Sequence, residues 1–123
     1  MSHLDSIAVV GAGTMGAGIA LVSATSGLKS IQIDVSEDAL GKARALHAKT
    51  LARNVEKERM TQAEADAAAA RIQYANSLGA AAGATFAIEA ASERLDLKKS
   101  IFTDLRSILS GDAILATNTS SIS

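Results

Sequence analysis

The sequence predicts an α/β fold in which a doubly wound, mostly parallel sheet carries helices on both faces. Three observations predict it. Short apolar runs alternate with longer helical patterns along the 123 residues, the order that yields parallel strands joined by crossover helices. The first apolar run passes directly into Gly11-Ala12-Gly13-Thr14-Met15-Gly16, a strand-to-helix turn of the form G-x-G-x-x-G. An aspartate, Asp34, ends the second run eighteen residues beyond Gly16. Together these make a Rossmann-type pattern.

The elements follow in order. Ser6–Val10 is short, apolar and stopped by glycine, as expected of a strand buried on both faces. Thr14–Ser26 carries Met15, Ile19 and Val22 at helical spacing, and Gly27 ends the helix as a C-terminal cap. Ile31–Asp34 is the second strand. Ser36 caps the next helix, with Glu37 and Asp38 favoured in its first turn by the helix dipole. That helix runs to about Lys57 and places Leu40, Ala43, His47, Leu51 and Val55 on one stripe. Thr61-Gln62-Ala63-Glu64 is a capping box opening a short alanine-rich helix. Arg71–Ala75, Thr85–Ala90 and Ala113–Thr117 read as the third, fourth and fifth strands. Between the last two lies a helix over about Arg94–Leu109, with Ile101, Phe102, Leu105, Ile108 and Leu109 facing inward. The residues form one domain over 1–123, and the end at Ser123, just past a strand, reads as that of a truncated protein.

Composition narrows the function. Twelve basic and thirteen acidic residues give a net charge of −1, which offers no electrostatic footprint for nucleic acid or an anionic membrane. No apolar run is long enough to span a bilayer, and the N-terminus lacks the pattern of a signal peptide. Cysteine is absent, which excludes a thiol nucleophile and cysteine-held metal sites and makes a cytoplasmic setting the expectation.

The glycine turn has a physical task at each position. Gly11 permits the tight turn, Gly13 lets a pyrophosphate approach the backbone, and Gly16 lets the helix pack on the strand. The free N–H groups at the helix start then face anionic phosphates along a favourable dipole. Asp34 completes the site. Its carboxylate can accept from both ribose hydroxyls of NAD and would repel the 2′-phosphate of NADP. Capping the following helix is a second role for Asp34, compatible with the first. Further polar groups belong at the carboxyl edge of the sheet, where ligands bind in such folds. They are Glu89 and Glu93 after the fourth strand, Lys98 near the start of the next helix, and Asn118-Thr119-Ser120-Ser121 after the fifth. Lys98 reads either as a phosphate or ribose contact or as a stem with a solvated head. The Asn-Thr-Ser-Ser run reads either as a group that orients a carbonyl or hydroxyl or as an ordinary loop.

The stretches Ile7–Ala20, Ile88-Glu89-Ala90-Ala91-Ser92-Glu93, Leu97-Lys98-Lys99 and Ala116-Thr117-Asn118-Thr119-Ser120-Ser121 resemble the 3-hydroxyacyl-CoA dehydrogenase family. Residues 73–83 match it poorly. The resemblance implies oxidation of the 3-hydroxyl of an acyl-CoA to a ketone, with hydride passing to NAD. It implies that the glycine turn, Asp34, Ala90, Glu93, Lys98 and Asn118 meet the cofactor. It places Ser120 against the reacting oxygen or the nicotinamide, and Lys57 against the CoA phosphates. On its own Lys57 reads as a solvated lysine. The family's catalytic histidine lies in a segment this sequence does not contain, before a helical domain through which a homodimer would form. His3 precedes the first strand and His47 sits mid-helix on a packed stripe, so the 123 residues alone are expected to be inactive. Two other readings are another NAD-dependent hydroxy-acid dehydrogenase and a non-catalytic, crystallin-like NAD-binding protein.

Overall fold

The computed structural model describes residues 6–90 and 95–117. Its elements are β1 (Ser6–Val10), α1 (Thr14–Thr25), β2 (Lys29–Ile33), α2 (Glu37–Glu56), α3 (Gln62–Ala70), β3 (Ile72–Ala75), β4 (Phe86–Glu89), α4 (Leu95–Ile108) and β5 (Ile114–Thr117). A 3-10 turn, Leu78–Ala81, was not foreseen and stands in the β3–β4 crossover, where the other crossovers have α-helices. The five described strands form one sheet in the order β3-β2-β1-β4-β5, and every pairing is parallel. The strand order reverses at β1. The crevice beyond the carboxyl ends of β1 and β4 is therefore the switch point at which such sheets bind ligands.

Local chemistry sets the helix ends close to where the sequence placed them, whereas the second strand, expected over Ile31–Asp34, runs over Lys29–Ile33. Ser36 accepts from the Ala39 N–H at 3.1 Å. The Thr61–Glu64 capping box closes in both directions, at 2.8 and 3.1 Å. After α1, Gly27 takes φ +102° while the Leu28 N–H reaches the Ser23 carbonyl at 3.0 Å and the Gly27 N–H that of Ala24 at 3.1 Å. This is a Schellman ending, and the left-handed position favours glycine.

The two faces of the sheet are packed differently. On one, Ala8, Val10, Ile31, Ile33 and Ala87 meet Leu105 of α4, Leu109 just after it and Ala81 of the 3-10 turn. This bears out the expected inward stripe at Leu105 and Leu109. On the other, Ile7 and Val9 meet Ala20 of α1, and α1 packs in turn against α2 through Ala17, Leu40 and Ala43.

The expected stripe of α1 is corrected. Met15 and Val22 are 58% and 65% exposed, Ile19 alone of the three packs, partly buried, against Ile7 and Val9, and the buried residues are Gly16, Ala17, Ala20 and Ala24. Small side chains let the α1 backbone lie close to the sheet. They also leave its inward carbonyls within reach of neighbouring donors. Ser30 Oγ donates to Ala20 at 2.9 Å, Arg71 Nη1 to Ala24 at 2.7 Å, and His47 Nε2 approaches the Ala17 carbonyl at 2.8 Å.

Candidate dinucleotide site

The turn between β1 and α1 is built by backbone needs that only glycine meets. Gly11 adopts φ +114° and its N–H bonds the Ile33 carbonyl at 2.7 Å, tying the turn to the end of β2. A Cβ on Gly16 would lie 1.9 Å from the Gly11 carbonyl oxygen, so α1 could not cross β1 this closely with any larger residue. A Cβ on Gly13 would meet nothing within 4 Å, so the space above it is open. Gly13 is also the N-cap of α1 and offers no side-chain bond to the first turn. The N–H groups at the mouth of the helix are thus left for an anion, with the dipole behind them.

Asp34 sits one residue beyond β2 and beside this turn. Its Oδ2 accepts from the Ala12 N–H and its Oδ1 from the Ser36 N–H, each at 2.9 Å. Both roles read from the sequence are therefore compatible. The carboxylate caps the approach to α2 and braces the glycine turn. A carboxylate has about four acceptor positions, so it can still receive two hydroxyls. Next to it a cavity of about 190 Å³ is lined by Val10, Gly11, Ile33, Asp34, Val35, Leu78 and Ile101. It is apolar apart from Asp34, the combination that suits a flat base with its ribose at the carboxylate. A second cleft of about 360 Å³ lies along Ala12, Gly13, Thr14, Ser36, Asp38 and Lys42. The residues present thus fit a dinucleotide: open space at Gly13 for phosphate, a carboxylate for ribose and an apolar slot for the base.

At the far side of the switch point, the Ala90 N–H bonds the Val10 carbonyl at 2.8 Å, which brings Ala90 to the edge of the turn. Glu89, expected at the same edge, is fully buried. Lys98 falls in the first turn of α4. Glu93, Asn118 and Ser120 lie outside the described residues. Lys57 is exposed at the C-terminal end of α2. That helix begins near Asp34 and has 20 residues, so Lys57 stands roughly 30 Å from its start and is not brought to the turn.

The sequence reading missed three contributors. Leu78 and Ile101 line the apolar cavity beside Asp34. Gln32, completely buried, donates from Nε2 to the Gly11 carbonyl at 2.7 Å and holds the turn from below. The available signal was alternation: Ser30 and Gln32 alternate with the apolar Ile31 and Ile33. His47 was expected to be packed and partly buried. It is 3% exposed, and it is hydrogen-bonded on both ring nitrogens, Nδ1 to the Tyr74 hydroxyl at 2.6 Å and Nε2 to the Ala17 carbonyl at 2.8 Å. Burial pushes its pKa below the usual histidine range, while the Ala17 bond pulls the other way. Burial raises the Tyr74 pKa, against the opposing charge of Arg44, whose guanidinium lies 4.4 Å from the ring centre.

Comparison with known proteins agrees with this geometry. Residues 6–123 match the model of the family described as 3-hydroxyacyl-CoA dehydrogenase, NAD binding domain. The chain belongs to that family. NAD is therefore the dinucleotide of the site. Among relatives of this NAD-binding domain, a 3-hydroxyadipyl-CoA dehydrogenase of Escherichia coli is 40% identical over the whole chain and 26% of the relative's length. A 3-hydroxybutyryl-CoA dehydrogenase of Bradyrhizobium diazoefficiens is 39% identical over 98% of the chain and 41% of the relative. The solved (S)-3-hydroxybutyryl-CoA dehydrogenase of Ralstonia eutropha superimposes with a TM-score of 0.93 at 40% identity, covering 98% of this chain and 42% of that one. The domain thus spans less than half the length of each of these relatives. No described helix is long and apolar enough to cross a membrane.

Proposed function

We propose that the protein to which this domain belongs oxidises the 3-hydroxyl of an acyl-CoA to a 3-ketone with NAD. The family match carries the reading, and the names of the relatives support the substrate class. When bound, NAD supplies the acceptor for the hydride leaving the substrate carbon. The chain's own residues bind and orient. The α1 mouth holds the pyrophosphate, Asp34 receives the adenosine ribose hydroxyls, and the slot at Val35, Leu78 and Ile101 takes the base. In this proposal Ala90, Glu93, Lys98 and Asn118 also meet the cofactor, and Ser120 orients the reacting oxygen or the nicotinamide. Lys57 would meet CoA phosphates only at the far end of an extended substrate. Homodimer formation and residence in the cytoplasm belong to the same proposal.

Calorimetric titration with NADH and NADPH tests the core of it. NADH should bind more tightly. Asp34→Ala should weaken NADH by roughly tenfold or more, the loss of charge-assisted hydrogen bonds worth about 1.5–3 kcal/mol, and narrow the preference. Equal affinity of the unmutated chain for both cofactors would sink the assignment of Asp34.

A further inference from the structure

We propose that His47, held by Tyr74, is a positioning residue for the phosphate cradle; the proposal rests on the reading that the mouth of α1 receives the dinucleotide. The directions of the two hydrogen bonds follow from chemistry. The Ala17 carbonyl can only accept, so Nε2 carries the proton. In the neutral ring Nδ1 is then an acceptor, and the Tyr74 hydroxyl donates to it. Burial, which disfavours the charged ring, agrees with this tautomer. The result is a relay from β3 through α2 into the first turn of α1.

Its position gives the relay its task. Ala17 follows Gly16, and its N–H closes the first helical bond of α1 on Gly13 at 2.8 Å. The fully buried residues of α1 are glycine and alanine, and its larger packed side chains, Ile19 and Leu21, are partly buried and lie beyond the first turn, so no large knob fixes the first turn along the axis or in rotation. Donors to its inward carbonyls supply that constraint, and His47 is the one nearest the mouth, whereas Ser30 and Arg71 act at Ala20 and Ala24. An imidazole in a seam lined by Leu40, Ala43 and Leu51 is costly to bury unless its hydrogen bonds are made. Leucine would fill the seam without that cost, but it could not hold the Ala17 carbonyl. Loss of the relay should therefore let the α1 mouth shift relative to Asp34, weakening ligands that span both and sparing those that touch Asp34 alone.

The test compares His47→Leu, His47→Gln and Tyr74→Phe with the unmutated chain, using NADH, ADP-ribose and adenosine followed by calorimetry or chemical-shift titration. His47→Leu should weaken NADH and ADP-ribose by roughly three- to tenfold and leave adenosine unchanged. His47→Gln, which keeps an N–H near the Nε2 position, should restore most of the loss. Tyr74→Phe, which keeps the packing and releases only Nδ1, should give a smaller loss of the same selectivity, and it decides the matter if His47→Leu does not fold. Unchanged ADP-ribose affinity in the folded variants overturns the proposal. So does an equal proportional loss of adenosine, the mark of general softening. Failure of the unmutated chain to bind ADP-ribose would remove the reading of the turn and this proposal with it; binding by the unmutated chain with no selective loss in the variants removes the positioning role alone.

Discussion

Gly13 and Gly16 belong to one motif but are required for different reasons, and substitution should separate them. Gly16 faces backbone: an added methyl would lie 1.9 Å from the Gly11 oxygen, and neither α1 nor β1 can yield without disturbing the core beneath. Gly16→Ala should destabilise the fold by about 1–3 kcal/mol or more, as overpacking does, and cofactor binding should fall with it. Gly13 faces open space at an ordinary φ of −72°. Gly13→Ala should cost less than about 1 kcal/mol of stability, the scale of a helix N-cap change, while NADH affinity drops because the methyl stands where phosphate must approach. Thermal melting and NADH titration of both variants check this, and unchanged NADH affinity in Gly13→Ala would mean that the turn is not the cradle. These glycines were legible in the sequence because backbone geometry leaves so few residues to choose from. Gln32 was not, because nothing in its local sequence says that the Gly11 carbonyl will lie above it.

At the scale of the element, α1 shows why helical spacing of large apolar residues can point to the wrong face. Met15, Ile19 and Val22 share a side of the helix, and so do Gly16, Ala17, Ala20 and Ala24. A parallel sheet whose first crossover must pass close to β1 selects the small stripe, since the glycine turn brings α1 to the strand at backbone distance. The apolar periodicity of α4 was read correctly at Leu105 and Leu109 because that helix packs through large side chains. The distinction can be measured. Ala20→Val should destabilise by about 1–3 kcal/mol, since Ala20 is fully buried against Ile7 and Val9. Val22→Ser, at a position 65% exposed, should stay within about 0.5 kcal/mol of the unmutated chain. Denaturant melts of the two variants decide, and the reverse order of stabilities would restore the Met15–Val22 stripe as the packed one.

For the molecule as a whole, the parallel sheet was legible in the alternation of elements, its strand order came only with the structure, and the glycine turn with Asp34 marks the site proposed for the cofactor. What the sequence could not show is distance. Lys57 and the glycine turn are both functional candidates, yet they stand at opposite ends of a 20-residue helix. The same consideration governs catalysis. Oxidation of an alcohol needs a base within hydrogen-bond reach of the hydroxyl proton. Among the described residues the one histidine is His47; it lies on the α1-facing stripe of α2, is almost fully buried, and has both ring nitrogens engaged by Tyr74 and Ala17. Asp34 is engaged by two backbone N–H groups, and in the proposed binding mode it meets the adenosine end, away from the nicotinamide. A polypeptide of these 123 residues should accordingly bind NADH without forming it from 3-hydroxybutyryl-CoA and NAD, as followed by absorbance at 340 nm. Addition of the acyl-CoA should leave the absorbance flat even where titration shows the cofactor bound. Turnover that persists in His47→Gln would reveal a base among residues outside the described part of the chain, and turnover abolished by that substitution would mean that the buried relay opens to substrate.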